Sequence, residues 1–261
     1  MSQTPKSHIF YQPFTFALLL CIFAFLSHVA LGILDHYLTH TFSILALGLL
    51  LFTLKKHSNT LFLITLTFIF IIALGYTPSG LLYGPASIGI IASVYETNFS
   101  ETLGFFRAMP LSIYFFTFFY LLLFLILLFI NRHITPRKNH KSAYYLVYFI
   151  LLAFTLYQPI SNVMKNTDKE KEFSLADFFK ASDFYPVSFL ANTLKVNNTY
   201  LTQRNLLNEA LTQTPEWHIL SVEPKYQNYV LVIGESMRRD YTSLYGYPQK
   251  TTPVSYTHLR A

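Results

Sequence analysis

Residues 110–130 read PLSIYFFTFFYLLLFLILLFI and decide the fold. These 21 residues contain no Lys, Arg, Asp or Glu. An α-helix rises about 1.5 Å per residue, so the stretch covers about 31 Å, close to the roughly 30 Å hydrocarbon core of a bilayer. Because backbone polar groups in lipid must be satisfied within the segment, the sequence predicts a membrane-spanning helix here.

Four other apolar runs have the same character, at residues 13–34, 37–54, 60–76 and 143–160. Each is 17 to 22 residues long and contains no Lys, Arg, Asp or Glu. We therefore predict a mainly α-helical protein with a five-helix transmembrane domain over residues 1–160.

The composition excludes several classes of protein. Hydrophobic residues make up 52% of the chain and charged residues 12%, which is about half the charged fraction of an ordinary soluble domain. A disordered chain, a collagen and a water-soluble globular protein are excluded. Cys21 is the only cysteine, so neither an intrachain disulfide nor a cysteine-based zinc site is possible.

The basic residues of the connecting segments alternate between two sides. The N-terminal arm and the loops after the second and fourth runs hold seven of them, whereas loop 77–109 holds only Arg107. This positive-inside pattern predicts a cytoplasmic N-terminus and places everything after about residue 161 outside, which in a bacterium is the periplasm or the cell exterior, and we predict a bacterial inner-membrane location. The net charge is +6, but the basic residues of the connecting segments lie mostly on one side of the membrane, so we predict no nucleic-acid partner. The seven residues are Lys6, Lys55, Lys56, Arg132, Arg137, Lys138 and Lys141.

The external loop 77–109 carries a candidate binding site. Read as one helix, Ser93, Thr97 and Glu101 are spaced i, i+4, i+8 and share one face at the outer membrane boundary. Such a polar stripe is suited to a lipid headgroup, with Glu101 or Glu96 pairing an ammonium group. The alternative is an ordinary solvated loop helix.

Residues 161–226 predict a periplasmic helical linker. Ser174 begins a short helix with Asp177 in its first turn, and residues 186–213 are helix-permissive with an apolar face. That face is suited either to the membrane interface or to packing beneath a soluble domain.

The segment from residue 228 to 253 has a catalytic character. Residues 229–233 form a short apolar run typical of a buried parallel strand, and Gly234 permits a tight turn. Glu235 then lies at the carboxyl end of that strand, where ligands of open α/β sheets bind, and is a candidate ligand of a divalent metal. Alternatively, Glu235 only caps the following helix, as we expect for Ser236.

The run VLVIGESMRRDYTSLYGYPQKTTP, residues 230–253, resembles the start of the periplasmic domain of bacterial phosphoethanolamine transferases, which belong to the alkaline phosphatase and sulfatase superfamily. The five spans, the ETN-x-x-E element at residues 96–101 and the helical linker are similar to that family as well. The resemblance implies that residues 227–253 begin a truncated α/β domain.

The resemblance also implies a reaction and a site. A Zn²⁺ ion would have Glu235 as one ligand, and a threonine further along would attack the phosphorus of phosphatidylethanolamine and release diacylglycerol. An acceptor hydroxyl or phosphate on lipid A or a glycan would then receive the phosphoethanolamine. The headgroup-binding positions of the family correspond best to Thr97 and Glu101, while Ser93 stands where the family often has Asn.

In that family the nucleophile and an Asp-His metal pair lie beyond the TTP element. We therefore expect this chain to be an inactive N-terminal fragment without catalytic residues, so Thr251 and Thr252 are not assigned. Residues 254–261 resemble the translated end of a sequencing adapter.

Two other functions remain open. One is a related membrane phosphoglycerol transferase or sulfatase with the same fold. The other is a non-catalytic membrane scaffold or transporter, although transporters tend to place ionisable groups inside their spans, and the five runs contain no Lys, Arg, Asp or Glu.

Overall fold

The structure, a computed structural model, describes residues 13–33, 37–133, 141–165, 174–213 and 239–251. All regular structure in these ranges is helical. Two short 3-10 helices, Arg239–Tyr241 and Ser243–Tyr245, follow nine α-helices. The nine are α1 (Pro13–Ala30), α2 (Tyr37–His57), α3 (Asn59–Tyr83), α4 (Ile88–Glu96), α5 (Phe99–Ala108), α6 (Leu111–His133), α7 (Lys141–Lys165), α8 (Leu175–Lys180) and α9 (Tyr185–Thr212).

Four helices in the described part of the chain are long and apolar enough to cross a membrane, namely α1, α3, α6 and the Ser142–Lys165 part of α7. The second predicted span is helical as α2, but it does not belong to this set. Its last turn carries Lys55, Lys56 and His57, which dilute its apolar character. The structure therefore supports four spans, and the fifth stays a prediction.

The core of the bundle surrounds α1, which packs against α2, α3 and α6. Phe23 lies 5.4 Å from Tyr120 between ring centroids, and Phe70 stacks on Phe124 at 3.9 Å. The buried Tyr120 hydroxyl is 2.8 Å from the hydroxyl of Ser27, so its polar atom is satisfied inside the apolar core. Large apolar side chains on the outer faces are exposed, as expected for helices that face lipid.

Two glycines allow α1 and α3 to touch through their backbones. A Cβ added to Gly80 would lie 2.1 Å from the Ala30 carbonyl oxygen, and one added to Gly32 would lie 2.4 Å from the Gly84 carbonyl carbon. Gly32 also has a φ of +98°, which disfavours other residues. This contact fixes the end of α3, where the external loop begins.

The linker helix α9 is anchored to the bundle at its first residue. The Tyr185 hydroxyl donates to the Leu31 carbonyl at 2.9 Å, and its backbone N–H donates to the Ser43 hydroxyl at 2.8 Å. The Nδ1 atom of His28 lies 2.8 Å from the Ala24 carbonyl and must donate to it, so Nε2 accepts from Ser43 at 2.9 Å. Burial raises the pKa of Tyr185, which therefore stays a donor. The helix predicted over residues 186–213 is confirmed.

A second anchor joins the linker to α7. Pro159 lies inside α7 and has no N–H to donate to the Thr155 carbonyl one turn earlier. The Ser182 hydroxyl, which follows α8, donates to this carbonyl instead at 2.8 Å. The acceptor that proline leaves unpaired is thus satisfied by the linker.

The chain divides into two compact units, Met1–Thr212 and Gln213–Ala261. In the second unit the structure describes Gln213 and residues 239–251. Here the Thr251 hydroxyl donates to the Tyr241 carbonyl at 2.8 Å and accepts from the Ser243 N–H at 2.9 Å. This hydroxyl therefore closes a turn. The predicted strand 229–233, Glu235, Ser236, Thr252 and residues 254–261 lie outside the described residues.

Candidate functional site

A groove of about 780 Å³ lies between the end of α3 and the helices α4 and α5. This volume lies within the range of small-molecule sites, roughly 300–1,000 Å³. All three residues predicted to bind a headgroup, Ser93, Thr97 and Glu101, line it. The other lining residues are Gly75, Pro78, Ser79, Tyr83, Ser87, Gly89, Ile90, Val94, Thr102, Phe105 and Phe106.

The prediction that these three residues share the face of one helix is wrong. Helix α4 ends at Glu96, Thr97 is extended with φ −74° and ψ 138°, and α5 begins at Phe99. The cause is a capping box in which the Asn98 side chain accepts from the Glu101 N–H at 3.0 Å and the Glu101 carboxylate accepts from the Asn98 N–H at 3.4 Å. The three side chains line one groove because the chain bends between two helices.

Glu101 carries the only formal charge among the described residues that line the groove. Its carboxylate accepts from the Asn98 side-chain amide at 2.8 Å through Oε1, in addition to the weaker backbone bond through Oε2. A carboxylate has about four lone-pair positions. The exposed Glu101 therefore retains acceptor capacity toward the groove while it caps α5.

The hydroxyl groups of the groove differ in the hydrogen bonds that they can still make to a ligand. Ser93 donates to the Gly89 carbonyl at 2.8 Å, so its oxygen can still accept but its proton is engaged. Ser87 accepts from the Ile90 N–H at 3.4 Å as the N-cap of α4, which leaves its own proton available. Thr102 donates to the Asn98 carbonyl at 2.9 Å.

Glu96, the other carboxylate considered for an ammonium group, belongs to a different contact. Its Oε1 accepts from the Tyr200 hydroxyl at 2.6 Å and lies 4.0 Å from Arg204 Nε. The hydrogen bond to Glu96 raises the pKa of Tyr200, since ionised Tyr200 could not donate it. Tyr95 also donates to Asn197 at 3.0 Å. Glu96 thus ties α4 to α9, and Glu101 is the better candidate for a ligand.

Sequence reasoning missed the α3 wall of the groove. The third span was predicted to end at residue 76, but α3 runs through Pro78 to Tyr83 and contributes Ser79 as well. The signal in the sequence was Gly84, a residue type that commonly ends helices, and in the structure it is the C-cap of α3 with a φ of +79°.

The described residues contain no group of three or more His, Cys, Asp or Glu that could hold a metal ion. Glu235, the predicted ligand, lies outside them. The Zn²⁺ expectation is therefore neither supported nor contradicted by this part of the chain.

Comparisons with known proteins give two relatives. The chain is 30% identical over 182 residues to a putative phosphoethanolamine transferase of Haemophilus influenzae, which is 68% of this chain and 31% of the relative. It is 27% identical over 191 residues to phosphoethanolamine transferase OpgE of Escherichia coli K12, which is 71% of this chain and 33% of the relative. No family model and no solved structure matches the chain.

The four apolar helices and their lipid-facing surfaces indicate a helical membrane protein. Its similarity to these two relatives supports membership of the phosphoethanolamine transferase family. The chain spans about a third of the length of the curated relatives it matches.

Proposed function

We propose that this chain is the membrane part of a phosphoethanolamine transferase and that its groove binds the headgroup of the donor, phosphatidylethanolamine. The observation that carries the proposal is the single carboxylate, Glu101, in a groove whose other polar lining groups are hydroxyls. A primary ammonium group would donate a charge-assisted hydrogen bond to Glu101. The hydroxyls of Ser87 and Thr97 would donate to the phosphate oxygens.

The charge of the groove predicts donor selectivity. Phosphatidylglycerol has no ammonium group, and its negative charge would be repelled by Glu101. Phosphatidylcholine carries a positive charge but no N–H donor. Phosphatidylethanolamine satisfies the carboxylate best, which favours phosphoethanolamine transfer over phosphoglycerol transfer.

In the proposed reaction a threonine hydroxyl, which the family resemblance places after the TTP element at residues 251–253, attacks the phosphorus. A phosphorus–oxygen bond forms to threonine, the bond to the glycerol oxygen breaks, and diacylglycerol leaves with the proton that the threonine loses. A hydroxyl or phosphate oxygen of lipid A or a glycan then bonds to the phosphorus, the bond to the threonine oxygen breaks, and the threonine regains its proton from the acceptor or from water. Zn²⁺ with Glu235 among its ligands remains a prediction from the resemblance.

The proposal places the groove on the outer side of a bacterial inner membrane. Within α3 the groove lies at the C-terminal end, whereas Lys55 and Lys56 precede its N-terminal end. The groove and these basic residues therefore lie at opposite ends of the helix, as the positive-inside rule requires.

The test uses the full-length protein in proteoliposomes. We expect release of diacylglycerol from phosphatidylethanolamine and a threonine that carries phosphoethanolamine, measured by mass spectrometry. A phosphoglycerol or sulfate adduct would instead identify one of the related activities. A full-length sequence without a downstream threonine and an Asp-His pair would contradict the proposal.

A further inference from the structure

One face of α3 is exposed along most of the span. Ile64 is 61% exposed, Phe68 55% and Ile71 61%, with spacings of four and three residues that keep them on one side of the helix. Because α3 is apolar and long enough to cross a membrane, this face contacts lipid.

The same face runs directly into the groove. Gly75 follows Ile71 by four residues, and Pro78 and Ser79 follow Gly75 by three and four; all three line the groove. The groove is therefore continuous with the lipid-facing surface of α3.

Gly75 stands at the junction and leaves it open. A Cβ added there would meet no heavy atom within 4 Å, and no positive φ requires a glycine at this position. Neither close packing nor backbone conformation explains the missing side chain. An open passage along the helix surface is what the glycine provides.

The length of the face suits one acyl chain. One leaflet contributes about 15 Å of hydrocarbon, which corresponds to about ten residues of helix at about 1.5 Å each. Counted from Gly75 toward the bilayer centre, this distance reaches about residue 65 and includes Ile71 and Phe68. A chain lying on this face would leave the headgroup beside Gly75, which lines the same groove as Thr97 and Glu101.

We propose that the donor lipid reaches the groove sideways from the outer leaflet along this face of α3, and that Gly75 keeps the passage open. This rests on the proposed headgroup site. The acyl chains stay in the bilayer against Phe68 and Ile71 while the headgroup moves into the groove, so the lipid never crosses water.

The test compares Gly75→Phe with the matched variant Gly104→Phe in the full 261-residue chain. Gly104 lies on α5, a Cβ there also meets nothing within 4 Å, and it does not line the groove. Two probes are measured: crosslinking of a long-chain photoreactive phosphatidylethanolamine in nanodiscs, and binding of water-soluble glycerophosphoethanolamine to the detergent-solubilised chain by NMR.

We expect Gly75→Phe to lower crosslinking about tenfold, because a phenyl ring would fill the space that the passing lipid needs, and overpacking of this kind costs about fivefold or more. Because Gly75 also lines the groove, Gly75→Phe should weaken binding of glycerophosphoethanolamine, but far less than it lowers crosslinking, whereas Gly104→Phe should match the parent in both assays. Normal crosslinking by Gly75→Phe overturns sideways access while leaving the headgroup site intact. If Gly75→Phe unfolds at the parent's temperature but loses both signals to the same extent, Gly75 belongs to the headgroup site, and sideways access is again overturned. If the parent binds neither probe, the proposed function itself fails.

Discussion

Replacing Glu101 with glutamine should weaken binding of phosphatidylethanolamine while leaving helix α5 intact. The carboxylate has two roles in the structure, since it caps α5 and supplies the charge of the groove. Glutamine also completes a capping box. Glu101→Gln therefore removes the charge and keeps the cap.

The size of the effect follows from the exposure of Glu101. A hydrogen bond to a charged group contributes about 1.5–3 kcal/mol when shielded, and an exposed ion pair about 0.2–1 kcal/mol. Since Glu101 is exposed, about 1 kcal/mol is expected, which is about a fivefold increase in Kd. Salt should reduce the difference between the two proteins.

The assay is binding of glycerophosphoethanolamine to the detergent-solubilised chain, followed by NMR titration. Asn98→Ala is the matched control, because it removes the N-cap, costs about 1 kcal/mol of helix stability and keeps the negative charge of Glu101. Circular dichroism and thermal unfolding report the helix separately.

Two results would refute the reasoning. Equal affinity of Glu101→Gln and the parent would show that the charge does not contact the ligand. A loss of affinity in Asn98→Ala as large as that in Glu101→Gln would show that the shape of α5, rather than its carboxylate, governs binding.

Two further predictions concern the bundle. Gly80→Ala should lower the free energy of unfolding in detergent by about 1–3 kcal/mol, because the added methyl would meet the Ala30 carbonyl oxygen at 2.1 Å. Gly75→Ala, where the added methyl meets nothing within 4 Å, should be neutral or stabilising by up to about 1 kcal/mol. Equal melting temperatures of the two variants would contradict this prediction. Ser182→Ala should lower the free energy of unfolding by about 1 kcal/mol, and by less in a Pro159→Ala background, where the restored N–H can donate to the Thr155 carbonyl. A double-mutant cycle without coupling would show that the Ser182 hydroxyl does not replace the N–H that Pro159 lacks.

Uninterrupted apolar runs predicted the spans well, because the length and composition of a segment decide whether it can cross a bilayer. Helices α1, α3, α6 and α7 coincide with four predicted runs. The ends were harder to predict. Helix α3 continues past Pro78 because proline removes only its own hydrogen bond to the i−4 carbonyl, so the next turn can still form. The helix stops at its C-cap, Gly84, which has a positive φ.

Spacing predicted which residues meet in the groove but not how. Ser93, Thr97 and Glu101 were placed on one helix face, although residues 98–101 carry the N-x-x-E pattern of a capping box, which begins a new helix. The tie between α4 and α9 through Glu96 and Tyr200 could not be predicted, because a contact across 104 residues leaves no local signal.

The position of the groove follows from the way its walls are held. The end of α3 is fixed to α1 by the backbone contact at Gly80, and α4 is fixed to α9 through Glu96. Helix α5 depends on its own capping box and on the bond from Tyr114 to its Phe106 carbonyl. Two walls are thus set by the bundle and the linker, whereas the third is set partly by the carboxylate that we propose contacts the ligand. The Glu101 carboxylate would then interact with both the cap of α5 and the ammonium group of the headgroup. The charge of this residue and the geometry of the groove must therefore be tested by separate substitutions.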